Sequence, residues 1–389
     1  MDAPRKSRIQ SVDALRSFVM IVMALDHTRE FFHSGAQQFQ PEDLARTTAA
    51  LFFTRWITHL CAPVFFFTAG IGAFFWLRAG RAPAQLSRFL WTRGLWLVFL
   101  ELTILRLATN FSLFQGFVLL SILWALGWSM VALGFLARLP VRPLAVLSIA
   151  VIALHNLADP VTATPFGRTW IWNILHQPVL FKAGPVQMLV AYPLVPWIFV
   201  MSAGFCFGRI VALPEPDRRR AIFRIGLALT AAFLLIRAIN IYGDPRPWSR
   251  AFPGMTALSF LRCTKYPPSL DFLLMTLGPA LLLLAWFDRL TFSKTNPLIV
   301  FGRVPLFYFL LHLFAIHALT IPFALIRYGH AAFLFGPLPS VGGKFPAGYG
   351  YDLWVVYAVW VAVLAMMYPL CLWFARLKQR RQDPWISYL

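Results

Sequence analysis

Windows of about 20 predominantly apolar residues recur along this chain, and each is long enough to cross a bilayer as a helix. Ten are read, at approximately 12–33, 52–77, 89–108, 115–136, 142–157, 186–208, 222–242, 269–288, 297–320 and 353–376. Backbone in lipid must satisfy its own polar groups, so the expected fold is all-α, a polytopic membrane helix bundle. Composition agrees. Of 389 residues, 59% are hydrophobic and only 13% charged, against roughly 25% charged in a soluble domain. Pro63, Gly70, Pro196, Pro279 and Pro305 fall inside these windows, which is tolerable where neighbouring helices satisfy the freed backbone groups.

The formal net charge is +20, from 35 Lys and Arg against 15 Asp and Glu. In a soluble chain such an excess suggests nucleic acid. Here membrane orientation and anionic headgroups account for it, and no nucleic-acid partner is expected. A cytoplasmic N-terminus places most of the Lys and Arg on the inner side, including Arg78, Arg81, Arg88 and Arg93. Ten spans then return the C-terminus to the cytoplasm. The expectation is one integral-membrane domain over 1–389, with a basic tail at 1–10 and another at 377–389. Its outer loops are 34–51, 158–185, 243–268 and 321–352. The loop 243–268 resists the charge rule, carrying Arg246, Arg250, Arg262 and Lys265. Either a loop of that length reports topology weakly, or it folds over the mouth of a cavity.

Cys61, Cys206, Cys263 and Cys371 form no CxxC pattern, so neither a disulfide framework nor a metal site is expected. No HExxH, Walker or GxGxxG motif occurs. The first apolar run lacks a small-residue cleavage pattern and is read as a retained helix, which points to a bacterial inner (cytoplasmic) membrane.

That first run also holds Asp26, His27, Arg29, Glu30 and His33 within eight positions. An ionised group near mid-bilayer costs about 2.5–3.5 kcal/mol on insertion scales, so a mere anchor would not keep five. They are expected to face a polar cavity inside the bundle. Asp26, Arg29, Glu30 and His33 share one helix face by their spacing. Asp26 and His33 stand about 10.5 Å apart along the axis, too far for direct hydrogen bonding. His33, at the outer end, is either a neutral base for an acceptor or an interfacial histidine bonded to a loop. Asp13 and Arg16 read as an ion pair in the first turn, with Ser11 as the N-cap. Glu101 is expected to pair with Arg106 or with an arginine on a neighbouring helix. His312 and His317 are five apart, a poor spacing for ligation from one face.

Five segments together resemble the membrane-embedded catalytic domain of heparan-alpha-glucosaminide N-acetyltransferases and its bacterial branch. They are Arg8–Arg16, Asp26–His33, Ala62–Gly70, Lys265–Leu270, and Phe301–Tyr308 running on to His312. The resemblance implies transfer of an acetyl or other acyl group from cytoplasmic acyl-CoA to an amino-sugar or hydroxyl acceptor on the far side. It also implies a catalytic histidine at the far end of the first helix, which matches His33. The family's mid-helix asparagine falls at Asp26, and Ser17 stands where the motif usually has glycine. Asp26 is the second candidate catalytic residue after His33, and the residues expected to line the cavity are His27, Arg29, Glu30, Tyr266 and His312. Arg78, Arg81, Arg88 and Arg93 form a loop suited to CoA phosphates, although positive-inside topology alone explains them equally. The expected partners are the bilayer, acetyl-CoA or another acyl-CoA, and a sugar or glycan acceptor, with a homodimer as the candidate assembly. A transporter or flippase for a small solute or glycan precursor is the competing reading, since the same polar groups can relay a solute. The absence of a visible internal repeat favours the enzyme.

Overall fold

The computed structural model describes residues 9–112, 117–184, 186–251, 253–336, 344–381, 383 and 386. Residues 1–8 of the expected N-terminal tail, residues 337–343 of the expected loop 321–352 and most of the tail beyond 381 lie outside them.

The chain opens with α1 (Gln10–Phe32), then α2 (Ala49–Trp56) and α3 (Cys61–Arg78), which a 3-10 turn at Ile57–Leu60 joins almost end to end. Next come α4 (Pro83–Leu100), a π-helical turn at Glu101–Leu105, and α5 (Arg106–Asn110). Strand β1 (Phe117–Leu120) leads into α6 (Ile122–Leu136), α7 (Val141–Leu154) and α8 (Trp170–Leu175). Strands β2 (Val179–Ala183) and β3 (Val186–Val190) precede α9 (Leu194–Val211) and α10 (Asp217–Ile239). The remainder is α11 (Thr256–Leu261), α12 (Leu270–Phe287), α13 (Pro297–Arg303), α14 (Pro305–Tyr328) and α15 (Leu353–Arg380).

The molecule is all-α in class, 72% helical with 5% strand. Among the described residues, seven helical stretches are long and apolar enough to cross a membrane. They are Ala49–Arg78, Val141–Thr162, Leu194–Val211, Asp217–Ile239, Leu270–Phe287, Pro305–Tyr328 and Leu353–Arg380. α1 is long enough too, but it carries five charged residues, and it packs at the centre against α3, α12, α13, α14 and α15.

Two of the expected windows begin differently. Residues 117–120 and 186–190 form a sheet of order β1-β3-β2, with β1 parallel and β2 antiparallel to β3. Val179-Leu-Phe and Val186-Gln-Met-Leu-Val carry β-favouring side chains. Pro193 follows and disfavours helix in the residue before it, so α9 starts only at Leu194. Ser11 is not an N-cap either. Helix α1 starts two residues earlier than expected, at Gln10 with Ile9 at the N-cap, and the Ser11 hydroxyl donates to Asp288 Oδ1 at 3.0 Å.

Glycines set the tightest helix pairs. A Cβ on Gly70 of α3 would stand 2.0 Å from the Met201 carbonyl oxygen of α9. One on Gly204 of α9 would stand 2.0 Å from the Phe67 oxygen. Without Cβ atoms the two backbones touch, which is how helices pack where lipid offers no hydrophobic drive. Gly94 of α4 and Gly127 of α6 repeat the device, for a Cβ on either would stand 2.4 Å from the other's carbonyl oxygen. Pro305 stops α13 and opens α14 at its first position, where a missing N–H costs nothing.

The start of α1 and the end of α15 lie on one face. Tyr351 pairs with His33 at the far end of α1. α15 then runs back until Tyr368 reaches the Thr295 carbonyl, just before α13, whose Gly302 packs on Asp13.

Candidate active site

Among the described residues, one cavity lies beside each half of α1. The outer one, of about 450 Å³, is lined from α1 by Met23, Asp26, His27, Glu30 and Phe31. Arg55, Thr58, Cys61 and Ala62 contribute from the α2–α3 stretch. Glu101, Arg106 and Asn110 come from the π turn and α5, and Tyr192, Lys265 and Tyr266 from loops. The inner cavity, of about 290 Å³, is bounded by Arg16, Thr68, Gly72, Trp76, Phe89, Arg93, Leu97 and Leu126. Ile122 and Phe309 line both. A third recess, of about 390 Å³, opens beside the inner cavity between Trp76, Arg81, Gln85, Arg88 and Phe89.

The outer cavity is built on a buried charge network. Asp26 accepts from Arg29 Nη2 at 2.9 Å and Nε at 3.2 Å, and its other oxygen pairs with Arg55 Nη1. Arg55 Nε donates to Glu42 Oε1 at 3.2 Å, and His59 Nε2 lies 3.1 Å from the same oxygen. α1, α2, the 3-10 turn after it and the loop after α1 are thereby tied together. Such a network tolerates burial because every charge meets an opposite one. Burial alone would raise the Glu42 carboxyl, which lies in the loop after α1. The Arg55 guanidinium and the His59 contact outweigh it and hold the group well below the usual carboxylate range.

Tyr266 is 36% exposed, toward the cavity. Desolvation pushes its hydroxyl up, but Lys265, Arg55 and a hydrogen bond to Tyr192 bring it below its ordinary value. The Lys265 ammonium also lies 5.2 Å from the Tyr266 ring centre.

Glu101 lines the outer cavity and holds the segment that carries Ile122. The π turn at Glu101–Leu105 aims its carboxylate at the start of α6. There Oε1 accepts from Ser121 N at 3.1 Å and Oγ at 2.6 Å, and Oε2 from Leu123 N at 2.9 Å and Trp124 N at 3.2 Å. A carboxylate meets both the orphan N–H groups and the positive end of the helix dipole. The expected pairing of Glu101 with an arginine is replaced by this cap, while Arg106 Nη2 donates to the Phe117 carbonyl at 3.1 Å.

The residues singled out from sequence separate into groups. Asp26, His27, Glu30 and Tyr266 come together on the outer cavity. Arg29 is buried behind Asp26, and His312 lies behind His27, with its Nε2 2.8 Å from His27 Nδ1. Arg93 lines the inner cavity, and Arg81 and Arg88 line the recess. Arg81 stacks 4.3 Å from the Trp76 ring centre. Arg78 ends α3 exposed and borders neither space. Arg16 Nη1 stands 3.9 Å from Asp13, and its Nη2 donates to the Thr68 carbonyl at 2.5 Å beside the inner cavity. His33 is the C-cap of α1. Its Nδ1 accepts from Gly35 N at 3.0 Å, and it lines none of these three spaces. His317 is held between the carbonyls of Ala108 and Leu334, each at 3.0 Å.

A family model described as heparan-alpha-glucosaminide N-acetyltransferase, catalytic, matches residues 8–242. The chain belongs to this family. No curated protein matches it. The heparan-alpha-glucosaminide N-acetyltransferase catalytic family comprises transmembrane acetyltransferases, and the match covers α1 to α10. It therefore contains the recess, most of the inner cavity and the whole charge network. Lys265, Tyr266, Phe309 and His312 lie beyond it.

Sequence reasoning passed over Glu42, Arg55 and His59. Arg55 and His59 sit in an apolar window, and their charge in a membrane-length stretch was the available signal.

Proposed function

We propose that this protein moves an acetyl or other acyl group from acyl-CoA on the face bearing the start of α1 and the end of α15, the cytoplasmic one, to an acceptor on the opposite face. The acceptor is an amino sugar or a hydroxyl. One observation carries the reading: an apolar cavity and a charged cavity share the side chains of Ile122 and Phe309.

The division of chemistry follows from the linings. CoA phosphates need cations at an accessible surface, and Arg81 and Arg88 border the recess with Arg93 just inside. The pantetheine arm and thioester are weakly polar and suit the inner cavity, whose lining is mostly aliphatic and aromatic. A sugar carries many donors and acceptors, matching Glu30, Asn110, Tyr192, Lys265 and Tyr266 in the outer space. The reacting carbonyl then lies at the Ile122–Phe309 partition, where donor and acceptor meet without mixing compartments. Asp26 serves as the anchor of Arg29 and Arg55, fixing the wall on which the acceptor rests. A bacterial inner membrane fits this orientation.

Purified protein in vesicles, given acetyl-CoA with a labelled acetyl group and glucosamine, should yield labelled N-acetylglucosamine. Ile122→Trp, which fills the partition, should abolish transfer while leaving acetyl-CoA binding by calorimetry intact. Absent acetyl-CoA binding together with glucosamine flux across the vesicles would refute the acyltransferase reading in favour of a transporter.

A further inference from the structure

The outer cavity contains an imidazole whose proton position is dictated by its neighbours. His312 Nδ1 lies 2.9 Å from the Tyr308 carbonyl oxygen. A carbonyl only accepts, so this nitrogen bears the proton and Nε2 of neutral His312 keeps a lone pair. That Nε2 lies 2.8 Å from His27 Nδ1. One of the two must donate, and His312 Nε2 has nothing to give, so His27 Nδ1 bears the proton. Neutral His27 is left with its lone pair on Nε2, in a side chain that lines the cavity. The two rings lie 17° from coplanar with centroids 5.0 Å apart, an edge-to-edge arrangement that directs the hydrogen bond along the ring planes. His312 is fully buried, so a charged form there would be costly and the neutral tautomer holds.

We propose that His27 is the general base of the acyl transfer and that His312 is the positioning residue that fixes its tautomer, an assignment that rests on reading this cavity as the acceptor site. The acceptor's amine or hydroxyl attacks the thioester carbonyl carbon, and His27 Nε2 takes the N–H or O–H proton. The tetrahedral intermediate collapses with cleavage of the C–S bond, and the electron pair leaves on sulfur. The imidazolium returns its proton to the CoA thiolate. The products are the acylated acceptor and CoA thiol, with His27 neutral again. Glu30, three residues along the helix and on the same cavity, offsets the transient positive charge. His33 offers no such geometry, because its Nδ1 is occupied by the Gly35 N–H and it lies off the cavity.

The test pairs spectroscopy with turnover, on the full chain in lipid nanodiscs. With ¹⁵N-labelled histidine, the His27 ring should show a proton on Nδ1 in the wild type. His312→Gln should preserve that pattern, since its amide oxygen accepts in place of Nε2. His312→Leu should scramble it. Acetyl transfer from acetyl-CoA to glucosamine should fall about 10²–10⁴-fold in His27→Asn. It should fall at least about tenfold in His312→Leu and recover in His312→Gln, with acetyl-CoA binding retained in all three. A wild-type His27 protonated on Nε2, or full turnover by His27→Asn alongside loss in His33→Ala, overturns the assignment. A wild type that neither binds acetyl-CoA nor transfers acetyl overturns the acyltransferase reading itself, and the two failures are told apart by the ¹⁵N pattern.

Discussion

Glu101→Gln should destabilise the wall between the cavities by an amount its hydrogen bonds allow one to work out. The carboxylate accepts four bonds, two on each oxygen, all from residues 121–124. Glutamine keeps one acceptor oxygen, so one pair survives. Its amide nitrogen, a donor, then faces either Leu123 and Trp124 N–H or the Ser121 pair. Two bonds to a charged group are lost, each worth about 1.5–3 kcal/mol. Water in the outer cavity, which Glu101 and Ser121 both border, recovers part of that. The net cost is about 2–4 kcal/mol. Thr103→Val is the control, because the Thr103 hydroxyl bonds its own helix, to the Phe99 carbonyl, from a half-buried side chain that holds no other element. It should cost well under about 1 kcal/mol. Thermal unfolding of both variants in detergent, followed by tryptophan fluorescence, separates the two. A Glu101→Gln midpoint no lower than that of Thr103→Val would refute the claim that this carboxylate holds the start of α6.

Three further outcomes follow from the packing and the charges. Gly204→Ala should lower the unfolding midpoint by several degrees, since its Cβ would stand 2.0 Å from a backbone oxygen that no rotamer can move, an overpacking cost of about 1–3 kcal/mol or more. Arg55→Leu should cost about 3–5 kcal/mol, leaving buried Asp26 and half-buried Glu42 with one cationic partner fewer each; a fully stable variant, by the same midpoint measurement, would count against the network. Glu42→Gln should be destabilising at neutral pH, with the difference from wild type shrinking in acid. Because the folded carboxyl sits below its ordinary range, its contribution is complete above the unfolded value near 4.3 and is lost as pH falls from there toward the folded value. A stability difference that grows on acidification would reverse the sign of this reasoning.

The bundle itself was legible in the sequence because membrane-length apolar windows need no tertiary partner to be recognised. The concentration of Asp26, His27 and Glu30 on one helix likewise announced a cavity, since lipid does not accept such a face. What stayed hidden depends on contacts between distant parts of the chain. His27 finds His312 at a separation of 285 residues, and no spacing rule links them. Arg55 looked like an isolated charge until a loop brought Glu42 to it. Glu101 suggested an ion pair because three of its four donors are backbone N–H groups, which every residue but proline carries and no sequence advertises. The sheet at residues 117–120, 179–183 and 186–190 was masked by its hydrophobicity, since short apolar runs read equally as helix or strand.

The shared position of Ile122 and Phe309 also bears on how such a protein lives with a membrane potential. A water-filled passage joining the two compartments would dissipate the ion gradients across the bilayer. Here the inner cavity is walled largely by leucine, alanine and aromatic side chains, and carrying a bare ion through such surroundings costs many times thermal energy. An uncharged acetyl group pays no comparable toll. On the acyl-transfer reading proposed above, the apolar chamber would work as an electrical insulator that admits one small neutral fragment.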